Sequence, residues 1–84
     1  MKYEVQLKPR ARKDLRKIAK NDAGRIIAAM EKMENDIAGD VKRLTDFSPE
    51  YRLRVGDYRV LFEIEEQNRI VVYRIRHRRE AYTD

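Results

Sequence analysis

The sequence predicts an α+β fold: an N-terminal strand, a two-helix hairpin, then an antiparallel sheet of three to four strands with both helices on one face. Three observations predict it. Residues 2–8, "KYEVQLK", alternate apolar and polar side chains, the period of a half-buried strand. Between residues 9 and 37 the apolar residues recur three and four positions apart, the period of amphipathic helices. From Tyr51 onward the period returns to two, interrupted only by turn residues at Gly56-Asp57 and through "EEQN" at residues 65–68.

In the first strand Tyr3, Val5 and Leu7 fall on one side, and Lys2, Glu4, Gln6 and Lys8 on the other. Pro9 suits the first turn of a helix, where its missing N–H is not needed, and Ala11, Leu15, Ile18 and Ala19 keep helical spacing up to Lys20. Asp22 is the candidate N-cap of a second helix, whose Ile26, Ile27, Met30, Met33 and Ile37 form a stripe that Gly39 ends. The methionines of that stripe read as core packing.

Residues 41–45 offer a short edge strand. Tyr51, Leu53 and Val55 then face one way while Arg52 and Arg54 face the other. Gly56-Asp57, with glycine first, reads as a tight hairpin turn of the II′ kind. Beyond it Tyr58, Val60, Phe62 and Ile64 point inward and Arg59, Leu61 and Glu63 outward. In "RIVVYRIRH" Val71, Tyr73 and Ile75 share the inner face, and Arg74 and Arg76 the outer.

At 84 residues the chain makes one domain over residues 1–84, with a thin core and no room for a buried cofactor cavity, so no cofactor is expected. Apolar and charged residues each make up 42%, and the apolar ones come in periodic blocks, which excludes a disordered chain. No cysteine and one histidine exclude disulfides and leave no zinc-ligand set, so no metal site is expected either. No apolar run approaches the roughly 20 residues that cross a bilayer. The first ten residues alternate rather than form a signal-peptide core. The expectation is a cytoplasmic protein with no membrane partner. A formal charge of +5 favours polyanions or acidic proteins.

Strand parity sharpens this charge into a surface. Helices packed on the Leu53, Val55, Val60, Phe62, Tyr73, Ile75 side leave Arg52, Arg54, Arg59, Arg74 and Arg76 together on the opposite face. A solvated face whose arginine stems cover apolar strands is the plain alternative. Against it, only Glu63 and Glu65 point the same way, and such crowding of like charge costs Coulomb energy until an anion sits there. Arginine binds phosphate oxygens in a fork and stacks on bases, so the face suits RNA or DNA phosphate, or an acidic peptide.

The segment "RIRHRREAYTD", residues 74–84, adds chemistry to that charge. His77 is the one residue of the run able to take up or release a proton near neutral pH. Tyr82 supplies a phenol that acts as a base only where cations stabilise its phenolate. Cleavage of RNA needs a group for the 2′-hydroxyl proton, cations for the phosphorane charge and an acid for the departing 5′ oxygen. A histidine, a tyrosine and several arginines are sufficient for that without a metal.

In "KPRARKDLRKI", "YRLRVGDYRVLFEI" and "VVYRIRHRREAY", in that order and spacing over nearly the whole chain, the sequence resembles the RelE/ParE superfamily of toxins from type II toxin–antitoxin pairs, the RelE branch in particular. The resemblance implies a RelE-like fold and a ribosome-dependent endoribonuclease, an mRNA interferase that cuts the codon held in the ribosomal A site. Arg59 matches the family's strand arginine through "GDYR", and Arg78 and Tyr82 its terminal arginine and tyrosine through "HRREAY". Arg52 falls where RelE enzymes carry a lysine. Glu50 stands where a second basic residue is expected, and His77 where the best-known branch has lysine. The resemblance thus assigns Arg59 and Arg78 to phosphate and transition-state charge and Arg52 to RNA positioning. The proton-transfer role is left open between Tyr82 and His77, with Arg54, Arg74 and Arg76 as further RNA contacts. It also implies a RelB-like antitoxin with an acidic segment that folds over the cationic surface. The alternative is the ParE branch, which inhibits DNA gyrase by protein contact without cutting RNA.

Overall fold

A computed structural model describes residues 2–35, 37, 41–44 and 49–79. The elements run β1 (Glu4–Leu7), α1 (Pro9–Lys17), α2 (Lys20–Met33), β2 (Val41–Arg43), β3 (Tyr51–Val55), β4 (Tyr58–Glu65) and β5 (Arg69–His77). They form one five-stranded sheet in the order β1-β5-β4-β3-β2. The expected antiparallel sheet is β2 to β5, and β1 joins it in parallel alongside β5. The register Val5↔Ile70 and Leu7↔Val72 puts the apolar sides of both strands on one face.

On that face Ile26, Met30 and Met33 of α2 and Ala11 of α1 close over Leu53, Val60, Phe62, Ile70, Val72 and Ile75. Each large side chain buried this way contributes about 1.5–3 kcal/mol relative to exposure. Ile26, Met30 and Met33 are four and then three residues apart, one face of a helix. Ile27 is one step round from that stripe and is 42% exposed, so it is not the core residue its spacing suggested.

The helix boundaries differ from the expected ones. α1 ends at Lys17 rather than Lys20 because Ile18 turns extended (φ −87°, ψ 140°) and packs against the core. Ala19, also outside helical geometry, is the N-cap of α2, and Asp22 lies inside the first turn, where its charge complements the helix dipole without capping it. α2 ends at Met33; Ile37 lies beyond the helix and still packs on the core. Gly39 and Thr45 lie outside the described residues.

At the β3–β4 turn Gly56 has φ +59°, while Asp57 is not in the positive-φ region, as a II′ turn requires. The expected inner face of β5 needs correction. Val72 pairs with Phe62 and Arg74 with Leu61, so Tyr73 is an extra residue, a bulge. Ile70 and Val72 face the core before it and Ile75 after it, while Val71 and Tyr73 do not share the inner face. Were the alternation of Ile70 and Val72 to continue unbroken, Arg74 and Arg76 would point into the core; the bulge turns both outward.

Candidate nucleic-acid interface

The outer face is built by register. Arg54 pairs with Arg59 and Arg59 with Arg76, so one row of three arginines crosses β3, β4 and β5. The next row runs Lys42, Arg52, Leu61, Arg74 across β2 to β5. Directly opposed side chains on adjacent strands have Cβ atoms about 4.5–5.5 Å apart, close enough for like charges to repel. Leu61, only 2% exposed, stands between Arg52 and Arg74, where their stems can cover it. Lys42 is an addition to the sequence reading: parity along residues 41–43 implies it, but the pairing with Arg52 does not follow from local pattern.

Arg59 and Arg78 meet at the Gly56-Asp57 turn. The Arg59 guanidinium donates to the Gly56 carbonyl at 3.3 Å and to the Tyr58 carbonyl at 3.1 Å. The Arg78 backbone N–H donates to the Asp57 carbonyl at 2.7 Å, and its side chain lies 3.9 Å from the Asp57 carboxylate. Both partners of that ion pair are more than half exposed, so it is a weak bond that phosphate can replace.

Arg74 is placed differently from the others. β1 pairs with β5 only as far as Val72, which leaves the β5 edge open beyond it. Asp14 of α1 occupies that edge, accepting from the Ile75 backbone N–H at 3.0 Å and from the Arg74 guanidinium at 2.7 and 3.1 Å. Arg74 therefore starts on the outer face and wraps the edge of the sheet. Burial pushes the Asp14 carboxyl up, but the Arg74 and Ile75 hydrogen bonds and the charges of Arg74 and Arg76 outweigh it and hold the group below its ordinary value. Its signal in the sequence is that of a single acid in a helix otherwise carrying Arg10, Arg12, Lys13, Arg16 and Lys17.

His77 is not among the outer arginines. It pairs with Tyr58 on the inner face at the end of β5, the two rings 5.5 Å apart and nearly perpendicular. Its Nδ1 accepts a hydrogen bond from the Arg79 backbone N–H at 3.3 Å, so in the neutral ring the proton sits on Nε2. Glu50 is exposed and lies 3.6 Å from Arg43. Tyr82 lies outside the described residues.

The other end of the outer face is acidic. Glu63 and Glu65 of β4 and Glu4 of β1 gather there around Arg69, which lies 3.8 Å from Glu4. Burial, then Glu63 and Glu65, push the Tyr73 phenol above its ordinary value, and Lys8 stands 5.2 Å over its ring. Among the described residues no three of His, Cys, Asp and Glu come together as a metal site, and no helix is long and apolar enough to cross a membrane.

Fold and surface together define a small α+β protein with rows of cationic side chains on one sheet face. Residues 5–82 match the family described as ParE toxin of type II toxin–antitoxin system, parDE. The chain belongs to this family, within the RelE/ParE superfamily of type II toxins. A Methanocaldococcus jannaschii protein named "Putative toxin RelE1" is 31% identical over 85 residues, covering 96% of this chain and 94% of that protein. Two solved structures share the fold. The RelB-RelE antitoxin-toxin complex from Methanococcus jannaschii gives a TM-score of 0.77 at 27% identity, over 93% of this chain and 95% of that one. The archaeal RelE-RelB complex from Pyrococcus horikoshii OT3 gives 0.78 at 25% identity, over 96% of this chain and 100% of that one.

Proposed function

We propose that this chain is an endoribonuclease toxin that cleaves mRNA on the ribosome and is restrained by a RelB-like antitoxin laid over its arginine face. The observation that carries the reading is the unbroken row Arg54, Arg59, Arg76, continued at the turn by Arg78. Such a row holds a phosphate backbone and the extra negative charge of a phosphorane. The relatives named RelE support the nuclease branch, and the RelB partners in the two archaeal complexes support the antitoxin.

In this mechanism the 2′ oxygen attacks phosphorus as its proton passes to a base. The bond from phosphorus to the 5′ oxygen breaks, and an acid protonates that oxygen, leaving a cyclic phosphate and a 5′ hydroxyl. Arg59 and Arg78 take the phosphorane charge, and Arg52 positions the strand with Arg54 and Arg76. The hydrogen bond from the Arg79 N–H to Nδ1 leaves Nε2 as the His77 atom that can face a substrate. Proton transfer falls to Tyr82 or His77.

The test is primer extension on an mRNA under translation with purified protein, beside the same mRNA without ribosomes. New 5′ ends inside codons only with ribosomes support the reading. Uncut mRNA in both, with protein shown to be folded, removes it and moves the weight to gyrase, which a supercoiling assay checks.

A further inference from the structure

The turn that anchors Arg59 and Arg78 is also touched by a residue of the helix layer. A Cβ built on Gly56 would stand 3.2 Å from Nη2 of Arg25, 3.5 Å from Nη1 and 3.6 Å from Cζ. Three atoms of one planar group at nearly equal range mean that the face of the Arg25 guanidinium, not its edge, lies against Gly56. That face is weakly hydrated and stacks on flat groups, which an ammonium does not do. Gly56, at φ +59°, leaves the space open by having no side chain.

Arg25 is fixed at its root. Its neighbour Ile26 is fully buried in the core, which holds this part of α2 to the sheet. One turn back, Asp22 lies 3.8 Å from Nη1, a pair too exposed to add much stability but placed to steady the side chain. On the turn itself, the Arg59 guanidinium donates to the Gly56 carbonyl and the Arg78 N–H to the Asp57 carbonyl. Gly56 and Asp57 lie beyond Val55↔Tyr58, the last strand pair of the hairpin. The place of the turn thus sets where Arg59 and Arg78 stand, and a group packed on Gly56 from α2 sets the place of the turn.

We propose that Arg25 is a positioning residue for cleavage: packed face-on against Gly56, it holds the turn, and through the turn Arg59 and Arg78, where they meet the phosphorane. This rests on the nuclease reading and deepens it, giving the arginines of one sheet face a support from the opposite layer. The contribution of Arg25 is its flat face rather than its charge, and in this role it does not touch RNA.

The test compares Arg25→Ala, Arg25→Lys and Lys32→Ala, the last a change of equal charge elsewhere on α2. NMR of isotope-labelled protein without RNA follows the Arg59 side-chain N–H signal and the hydrogen exchange of the Arg78 amide, and cleavage on translating ribosomes gives kcat and KM. Arg25→Ala is expected to shift the Arg59 signal and speed Arg78 exchange. It should lower kcat about tenfold with KM unchanged, within the loss of ~10²-fold that a displacement of ~1 Å can cause. Arg25→Lys should behave like Arg25→Ala, and Lys32→Ala like the parent. Asparagine accepts a positive φ, and its Cβ would displace the Arg25 guanidinium, so Gly56→Asn should cost less in the Arg25→Ala background than in the parent.

Arg59 and Arg78 signals that stay unmoved in Arg25→Ala overturn the positioning role while the nuclease reading stands. Equal shifts in Arg25→Ala and Lys32→Ala mean a general loosening and overturn it as well. A raised KM at unchanged kcat, or full rescue by Arg25→Lys, means a charge contact with RNA and again overturns it. Uncut mRNA with the parent protein overturns the nuclease reading, and NMR shifts specific to Arg25→Ala then still support the hold of α2 on the turn.

Discussion

The outer sheet face has two ends, made by the same strands under the same alternation, and they carry opposite charge. Near the Gly56 turn stand Arg54, Arg59 and Arg76; near the turn at residues 66–68 stand Glu4, Glu63 and Glu65 around Arg69. At the acidic end unlike charges lie beside each other and offset one another within the free protein. At the basic end neighbouring charges in the row are alike, and the row gains most when an outside anion arrives. Position on a solvent face therefore does not make a residue neutral to function: the end where like charges stand side by side in register is the one that suits an anionic partner. Between the two ends lies the Tyr73 bulge, where β5 changes phase.

The largest effect that can test this contrast is on cleavage. Arg59→Ala with Tyr82→Phe should lower the rate on translating ribosomes by at least ~10²–10⁴, while Glu63→Gln with Glu65→Gln leaves it near the parent rate. Full activity in the first pair would remove the catalytic assignment. Antitoxin binding should stay measurable in both.

Stability comes next. Asp14→Ala removes the acceptor of Arg74 and of the Ile75 N–H, at about 1.5–3 kcal/mol for hydrogen bonds to a charged group, read as a lower urea midpoint. Because the folded carboxyl titrates below its ordinary 3.8, its stabilisation is complete above that value and is lost as pH falls through the folded pKa. Melting temperature from pH 6 to pH 2 should fall less steeply in Asp14→Asn than in the parent. Parallel curves would mean that the carboxylate is not held as described.

Salt dependence separates the two ends more gently. Arg54→Gln should reduce the slope of log affinity for single-stranded RNA against log salt by about 0.7, the value for one lost phosphate contact. Glu65→Gln should leave the slope unchanged, and equal slopes in both variants would mean that the row does not touch phosphate. The smallest expected change is the titration of Tyr73. Removing the charges of Glu63 and Glu65 should bring its pKa down toward the ordinary 10.0, while burial keeps it above. NMR of tyrosine-labelled protein reads this directly.

The order of elements, the Gly56 turn and the outward arginines of β3 and β4 were legible because period and turn chemistry are local. The bulge was not, since Ile70, Val71, Val72 and Tyr73 are apolar at both parities and alternation cannot choose between them. α2 starts before Asp22 because Ile18 leaves helical geometry, packs on the core and is followed directly by the Ala19 N-cap, a break that helical spacing does not announce. The parallel pairing of β1 with β5 and the Asp14–Arg74 fork join distant parts of the chain, and no short-range pattern announces either. His77 was grouped with arginines that neighbour it in sequence, although strand geometry sends alternate residues to opposite faces. Arg54, Arg59 and Arg76 were legible as one face by strand parity, and Arg78 was named only through the family resemblance, while the Asp14 contact at the β5 edge depends on α1 docking there.

The parallel strand pair also bears on how the molecule comes into being. β1 can be paired only after both helices and the three intervening strands have been synthesised, because among the described residues its one neighbour in the sheet is β5. Such distant pairing makes folding a late and comparatively slow event. The arginine row likewise waits for Arg76. A nascent chain therefore passes through most of its own translation without an assembled surface, and the machinery making it meets the finished fold only when β5 has emerged.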